Sequence, residues 1–226
     1  MTDYDDKQII QSWHQNAKAW IGAIQNQEIE SRNLVTNKAI IDAVMERRPS
    51  TALDVGCGEG WLSRTLIDRN VDIVGIDVVP ELIENASKMS SGKYHVCSYG
   101  DLAKEQIIDS KFDAVICNFS LIGKEDVDYL IGAIPQVLNK KGILYIQTLH
   151  HLACCEEGNS KDGWREGSWD GFGTEFRDPA PWYYRTKASW KRLLRESGFV
   201  ITECREPRYP GKEIPASMIF ISELEG

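Results

Sequence analysis

The sequence predicts an open α/β fold, a seven-stranded, mostly parallel sheet covered by helices on both faces and built as a single domain over residues 1–226. Three observations predict it. Apolar runs of strand length alternate with amphipathic stretches of helix length from residue 34 to about 150. The first such run opens into alternating glycines, ALDVGCGEGW at 52–61, the pattern of a strand turning into a helix beside a ligand. The 226 residues are 42% hydrophobic and 27% charged, which suits one core with an insertion in an ordinary globular domain.

In the first 33 residues, Ile9, Trp13, Ala17, Trp20 and Ile24 recur at spacings of three and four, one face of a helix, so residues 1–33 read as a helical cap packed on the core. Leu34, Ile40, Ile41, Val44 and Met45 repeat the helical spacing, and Pro49 closes that segment. A buried strand at 52–55, a helix at 61–68 with Leu62 and Leu66 on one side, and a strand at 71–76 follow. Pro80 suits the first turn of the next helix. A weak strand at 94–97 precedes a strong one, FDAVIC at 112–117. Val127, Leu130, Ile131, Ile134 and Leu138 then mark a helix that Pro135 kinks, and 143–148 is the fifth strand. Beyond an insertion at 152–186, Trp190, Leu193 and Leu194 define a helix from Thr186 to Gly198, and strands at 199–204 and 218–222 complete the sheet. Strands and helices alternating at this length pair in parallel through right-handed crossovers, and such a sheet binds ligands at the carboxyl ends of its strands.

Acidic residues outnumber basic ones, 34 to 26, and the net charge of −8 argues against a broad nucleic-acid or anionic-membrane footprint. The start, MTDYDDKQII, lacks the flank and apolar run of a signal peptide, and no stretch approaches the ~20 apolar residues of a membrane span. The expectation is a cytoplasmic protein acting on a small molecule, as a monomer or homodimer. The six cysteines show no C-x-x-C spacing, which disfavours a zinc site and a disulfide framework; the adjacent Cys154 and Cys155 read as a redox pair or as plain small hydrophobes.

Asp77 closes the second strand 19 positions after Gly58, the place from which a carboxylate holds ribose hydroxyls. A dinucleotide site requires a third glycine at position 61, which is Trp61, and the carboxylates of Asp54 and Glu59 would oppose a pyrophosphate at the helix N-terminus. A ligand carrying an ammonium and a sulfonium would welcome them.

At LDVGCGEG and Asp77, the chain resembles the class I methyltransferases that use S-adenosylmethionine, over roughly 34–150 and 187–224, and RDPAPWYYRT at 177–186 is similar to a stretch found in bacterial small-molecule members. The resemblance implies a Rossmann-like fold and S-adenosylmethionine as cofactor. It implies that Asp54, Gly56, Cys57 and Gly58 line the methionine end, that Asp77 takes the ribose hydroxyls and that Val78 lies against the adenine. Asp101 and the Leu102 backbone would hold the adenine amino group, and Asn118 and Phe119 would border the methyl group. An N-terminal helix closing the pocket would bring Trp20 and Arg32 to the methionine end. Asp54 also reads as a cap for the following helix, and Asn118 as a strand-end turn former.

The insertion at 152–186 holds Trp164, Trp169, Phe172, Phe176, Trp182, Tyr183 and Tyr184, with seven acidic against four basic residues. It reads as a lid over a planar or apolar acceptor, with Trp164, Trp169, Trp182 and Tyr183 as acceptor contacts, or else as a satellite core or dimer contact. His150 and His151 end the fifth strand, and one of them is the expected proton acceptor for a hydroxyl, with no metal involved. A dehydrogenase, a non-catalytic cofactor-binding protein and a methyltransferase with a protein or RNA acceptor are the competing functions.

Overall fold

The structure is a computed structural model that describes residues 4–104, 110–154 and 161–225; Cys155, Glu156 and Glu157 of the insertion lie outside the described residues. Helix α1 (Asp6–Gln25) opens with a capping box, Asp5 accepting from the Gln8 N–H at 3.0 Å while Gln8 Oε1 accepts from the Asp5 N–H at 3.2 Å. A π-helical turn, Arg32–Thr36, runs into α2 (Asn37–Met45). Then come β1 (Thr51–Val55), α3 (Trp61–Ile67), β2 (Asp72–Asp77), α4 (Pro80–Met89), β3 (Lys93–Val96), α5 (Tyr99–Lys104), β4 (Phe112–Asn118), α6 (Glu125–Val137) and β5 (Leu138–Thr148). The chain finishes with α7 (His151–Cys154), β6 (Gly163–Arg165), β7 (Trp182–Tyr184), α8 (Lys187–Glu196), β8 (Phe199–Arg205) and β9 (Met218–Leu224).

Seven strands form the main sheet in the order β3-β2-β1-β4-β5-β9-β8, with β9 alone antiparallel to the rest. Side chains alternate across the strands. Leu53, Val55, Val115 and Ile146 meet Leu130, Ile131 and Ile134 of α6 on one face. Ala52, Ile116 and Tyr145 meet Ile40, Val44, Leu62 and Leu66 on the other. Burial on both faces is why these strands read as continuous apolar runs. The chain builds outward from β1 to β3 and then crosses back to β4 on the far side of β1, so a crevice opens between the ends of β1 and β4.

Pro135 does not end α6, which continues to Val137, and β5 starts five residues ahead of the predicted strand. The extra residues form an irregularity in the β4–β5 register, pinned by Asn139 donating to Asp113 Oδ1 at 2.8 Å. The sequence reading did not anticipate α5 or the two-stranded β6–β7 sheet of the insertion.

A cavity at the carboxyl edge of the sheet

The turn after β1 passes through three glycines in the left-handed region, Gly56, Gly58 and Gly60, with φ of 71°, 58° and 84°. A Cβ at Gly56 would overlap Ser120, so bareness there is a packing requirement. The Gly56 and Cys57 N–H groups donate to the Ile76 carbonyl at 2.8 and 2.9 Å. Asp77 accepts from the Gly58 N–H at Oδ2 and from the Val79 N–H at Oδ1, both at 2.9 Å. Burial pushes its carboxyl up, against those two hydrogen bonds.

This turn floors a cavity lined by Gly56, Cys57, Gly58, Glu59, Asp77 and Val78, by Ser98 and Tyr99 after β3, and by the loop after β4 from Asn118 to Gly123. Helix α1 roofs it with Ile9, Ile10, Trp13 and Trp20, and Arg32 closes one end. The Arg32 guanidinium lies over the Trp61 ring at 4.7 Å and the Trp20 ring at 5.7 Å. Burial lowers its pKa to about 10, with Glu59 and Asp54 opposing, so it stays charged at neutral pH. Glu59 is fully buried and accepts from Arg64 Nη2 at 2.6 Å through Oε2.

Three buried polar atoms on the lining lack a hydrogen-bond partner: Arg32 Nη2, Glu59 Oε1 and Asn118 Oδ1. Phe119, beside Asn118, holds φ of 54°, uncommon for a bulky residue and a mark of functional loops. Its N–H donates to the Gln147 carbonyl at 2.8 Å, and the loop is tied further by Ser120 Oγ on the Val55 carbonyl at 2.7 Å and Tyr99 OH on the Ser120 carbonyl at 2.9 Å.

Gly56, Cys57, Gly58, Asp77, Val78, Asn118, Phe119, Trp20 and Arg32 thus come together on one cavity, as the sequence reading expected. The others do not. Asp54 is 1% exposed and absent from the lining; it accepts from Ser63 Oγ at 2.7 Å, a side chain of the first turn of α3. Burial raises its pKa to about 7, opposed by Ser63 and assisted by Asp77. Asp101 turns back to accept from Ser98 Oγ at 2.5 Å, and Leu102 is buried in the core, because α5 points them away and brings Ser98 and Tyr99 to the cavity instead.

His150 and His151 are not on the lining. The backbone leaves the sheet after Thr148 and coils into α7, which turns the buried His150 ring toward Glu206, Nε2 to Oε1 at 3.6 Å, with the His151 ring stacked on it at 4.3 Å. Burial, ahead of the His151 contribution, lowers the His150 pKa. Trp164, Trp169, Trp182 and Tyr183 are not on the lining either. Trp169 packs on Trp13 at 6.0 Å and on Phe172 and Phe176, while Trp164 packs on Tyr4 and Tyr183 and Trp182 on Tyr184. Trp169 and Phe172 of the insertion thus pack on Trp13 and Trp20 of the roof helix.

Asp6, Ile9, Ile10 and Trp13 of α1 with Ile122, Gly123, Asp126 and Val127 complete the lining. The apolar stripe of α1 signalled Ile9 and Trp13, but Asp6 meets the loop before α6 across 118 residues, and nothing local in the sequence announces that. Among the described residues no group of three or more His, Cys, Asp or Glu is placed to hold a metal, and no helix is long and apolar enough to cross a membrane.

The three unpartnered atoms match S-adenosylmethionine end to end: Arg32 Nη2 suits its carboxylate, Glu59 Oε1 its ammonium and Asn118 Oδ1 a polarised methyl, with Asp77 free to accept ribose hydroxyls on its remaining lone pairs. A family model described as a methyltransferase domain matches residues 47–198, more than half of the chain. A ubiquinone biosynthesis O-methyltransferase of Xanthomonas axonopodis pv. citri (strain 306) is 36% identical over 115 residues, 49% of this chain and 47% of the relative, so the chain spans about half the length of the curated relatives it matches. Among solved structures, magnesium protoporphyrin IX methyltransferase from Synechocystis PCC 6803 with bound SAM is similar at a TM-score of 0.64 and 16% identity, covering 100% of both chains. The Burkholderia thailandensis 1,6-didemethyltoxoflavin-N1-methyltransferase, solved with its acceptor and S-adenosylhomocysteine, is similar at 0.61 and 14% identity, covering 93% of this chain and 87% of that one. On the match across residues 47–198, the chain belongs to the methyltransferase domain family.

Proposed function

We propose that the protein is an S-adenosylmethionine-dependent methyltransferase that transfers a methyl group to an oxygen or nitrogen of a small, planar or apolar molecule. The observation that carries this reading is the set of unpartnered Arg32, Glu59 and Asn118 atoms around one cavity that also holds Asp77. Arg32 would hold the methionine carboxylate and Asp77 the ribose, while Val78 and Leu82 offer an apolar wall to the adenine. When bound, S-adenosylmethionine supplies a methyl group made electrophilic by its sulfonium. The chain's task is to align an acceptor with that methyl and exclude water, which α1 and the loop after β4 accomplish by enclosing it; such positioning contributes several kcal/mol. The name of the ubiquinone biosynthesis O-methyltransferase relative supports a small-molecule acceptor. A cytoplasmic setting without nucleic-acid or membrane partners is part of the proposal, supported by the net charge of −8.

The test is incubation of the protein and a metabolite extract with cofactor labelled on its methyl group, followed by identification of the labelled product. Label in a small molecule supports the reading, and label only in protein or RNA overturns the acceptor class.

A further inference from the structure

The loop between β4 and α6 is held from three sides. Asp6 of α1 accepts from the Lys124 and Asp126 N–H groups, both at 2.7 Å. Arg185, 5% exposed, donates to the Gly123 carbonyl at 2.6 Å and the Lys124 carbonyl at 2.7 Å. The Tyr183 N–H donates to the Ile122 carbonyl at 2.7 Å. Gly123 packs so closely that a Cβ there would stand 2.7 Å from Asp6 Oδ1. Segments far apart in the chain are thus arranged to fix five residues. What they fix is Asp126, a residue of the cavity lining whose carboxylate has no hydrogen-bond or ion-pair partner among the described residues.

We propose that Asp126 is the catalytic residue that accepts the proton of a neutral, apolar acceptor carrying a hydroxyl group; this rests on the methyltransferase reading above. The walls around it, Ile9, Ile10, Ile122 and Val127, suit an apolar body. Arg32 apart, no basic side chain lines the cavity among the described residues, so Asp6 and Asp126 disfavour carboxylate or phosphate acceptors. As the hydroxyl oxygen bonds to the methyl carbon, the carbon–sulfur bond breaks with its electron pair remaining on sulfur. The hydroxyl proton passes to Asp126 and from there to water.

Asp126 sits in the first turn of α6, where the helix favours an anion. Burial, then Asp6 and Glu125, push its carboxyl up from the ordinary carboxylate range, which makes it a better base. The titratable groups facing it are Asp6 from α1, Glu125 from α6 and Tyr99 from α5. Asp6 and Arg185 are positioning residues.

The experiment uses para-substituted phenols, from 4-methylphenol to 4-nitrophenol, with tritium-labelled methyl donor. Asp126→Asn should lose about 10²-fold or more in kcat on 4-methylphenol, which must shed a proton, and less than about tenfold on 4-nitrophenol at about pH 8.5, where that phenol is already ionised. The wild-type rate on 4-methylphenol should fall as pH drops and Asp126 takes up a proton, and the variant should lack that limb. Independently of turnover, the variant should bind 4-nitrophenolate several-fold more tightly, read from its visible absorbance, while keeping wild-type calorimetric affinity for S-adenosylhomocysteine. Equal loss on both phenols, or none on either, overturns the assignment of Asp126. A wild-type protein that binds the cofactor yet methylates no phenol overturns the hydroxyl class and the proposal with it; one that binds no cofactor overturns the reading beneath both.

Discussion

Arg32 holds a buried guanidinium between two indole rings with Nη2 unpartnered, an arrangement that costs stability unless a ligand completes it. Arg32→Met keeps the stacking bulk and removes the charge. It should weaken binding of S-adenosylmethionine by about 1.5–3 kcal/mol, the range for hydrogen bonds to charged groups, and leave the free protein as stable or more so. Calorimetric titration beside urea unfolding checks both signs. Asp54 offers a second test at this scale. Folded, it keeps its proton up to about pH 7, whereas its ordinary value is 3.8. Through the window between those values the folded state binds the extra proton, so this group's contribution is complete below it and is lost as pH rises. Asp54→Asn should flatten that loss: between about pH 4.5 and pH 7.5, its urea midpoint should fall less, or rise more, than that of the wild type.

The informative element is α1, which both lines the cavity and meets the insertion. Asn16, 1% exposed, donates to the Arg177 carbonyl at 2.7 Å and accepts from the Arg177 N–H at 2.8 Å, which stitches the insertion to the helix through backbone groups. Asn16→Ala should destabilise the protein by about 2 kcal/mol, because two backbone groups lose their partner, and should speed proteolysis within 166–180. Trp169 packs on Trp13, which packs on Trp20 at 5.1 Å. Trp169→Ala should therefore weaken cofactor and acceptor binding together, through the helix. Loss of turnover with unchanged cofactor affinity would return the insertion to the acceptor-selecting role expected from its composition.

At the scale of the whole molecule, the cavity draws on α1, the π-helical turn, the β1 and β2 ends and the β4–α6 loop, so a ligand that fills it ties the cap to the sheet. Saturation at about 100 times the dissociation constant adds ~2.7 kcal/mol to stability. For a chain of this size that raises Tm by roughly 5–11 °C. S-adenosylhomocysteine should produce such a shift in a thermal melt and NAD none, since Glu59 at the turn opposes a pyrophosphate.

The sequence by itself determined the seven strands and their ligand edge, because apolar runs between amphipathic helices leave one economical sheet. It also determined the glycine turn, Asp77 and the Asn118–Phe119 corner, because each sits within a few residues of a strand end and its geometry is local. Only the tertiary structure decided what stands opposite them. It kept Asp54 off the lining, directed His150 to Glu206 rather than the cavity, set Trp169 against Trp13 of α1, and brought Asp6 to Asp126. These are contacts between segments far apart in the chain, or the orientation of side chains after a strand has ended, and neither leaves a period in the sequence. Hydrophobic patterning specifies which faces are buried; which polar groups meet across the buried space depends on the packing that patterning brings about.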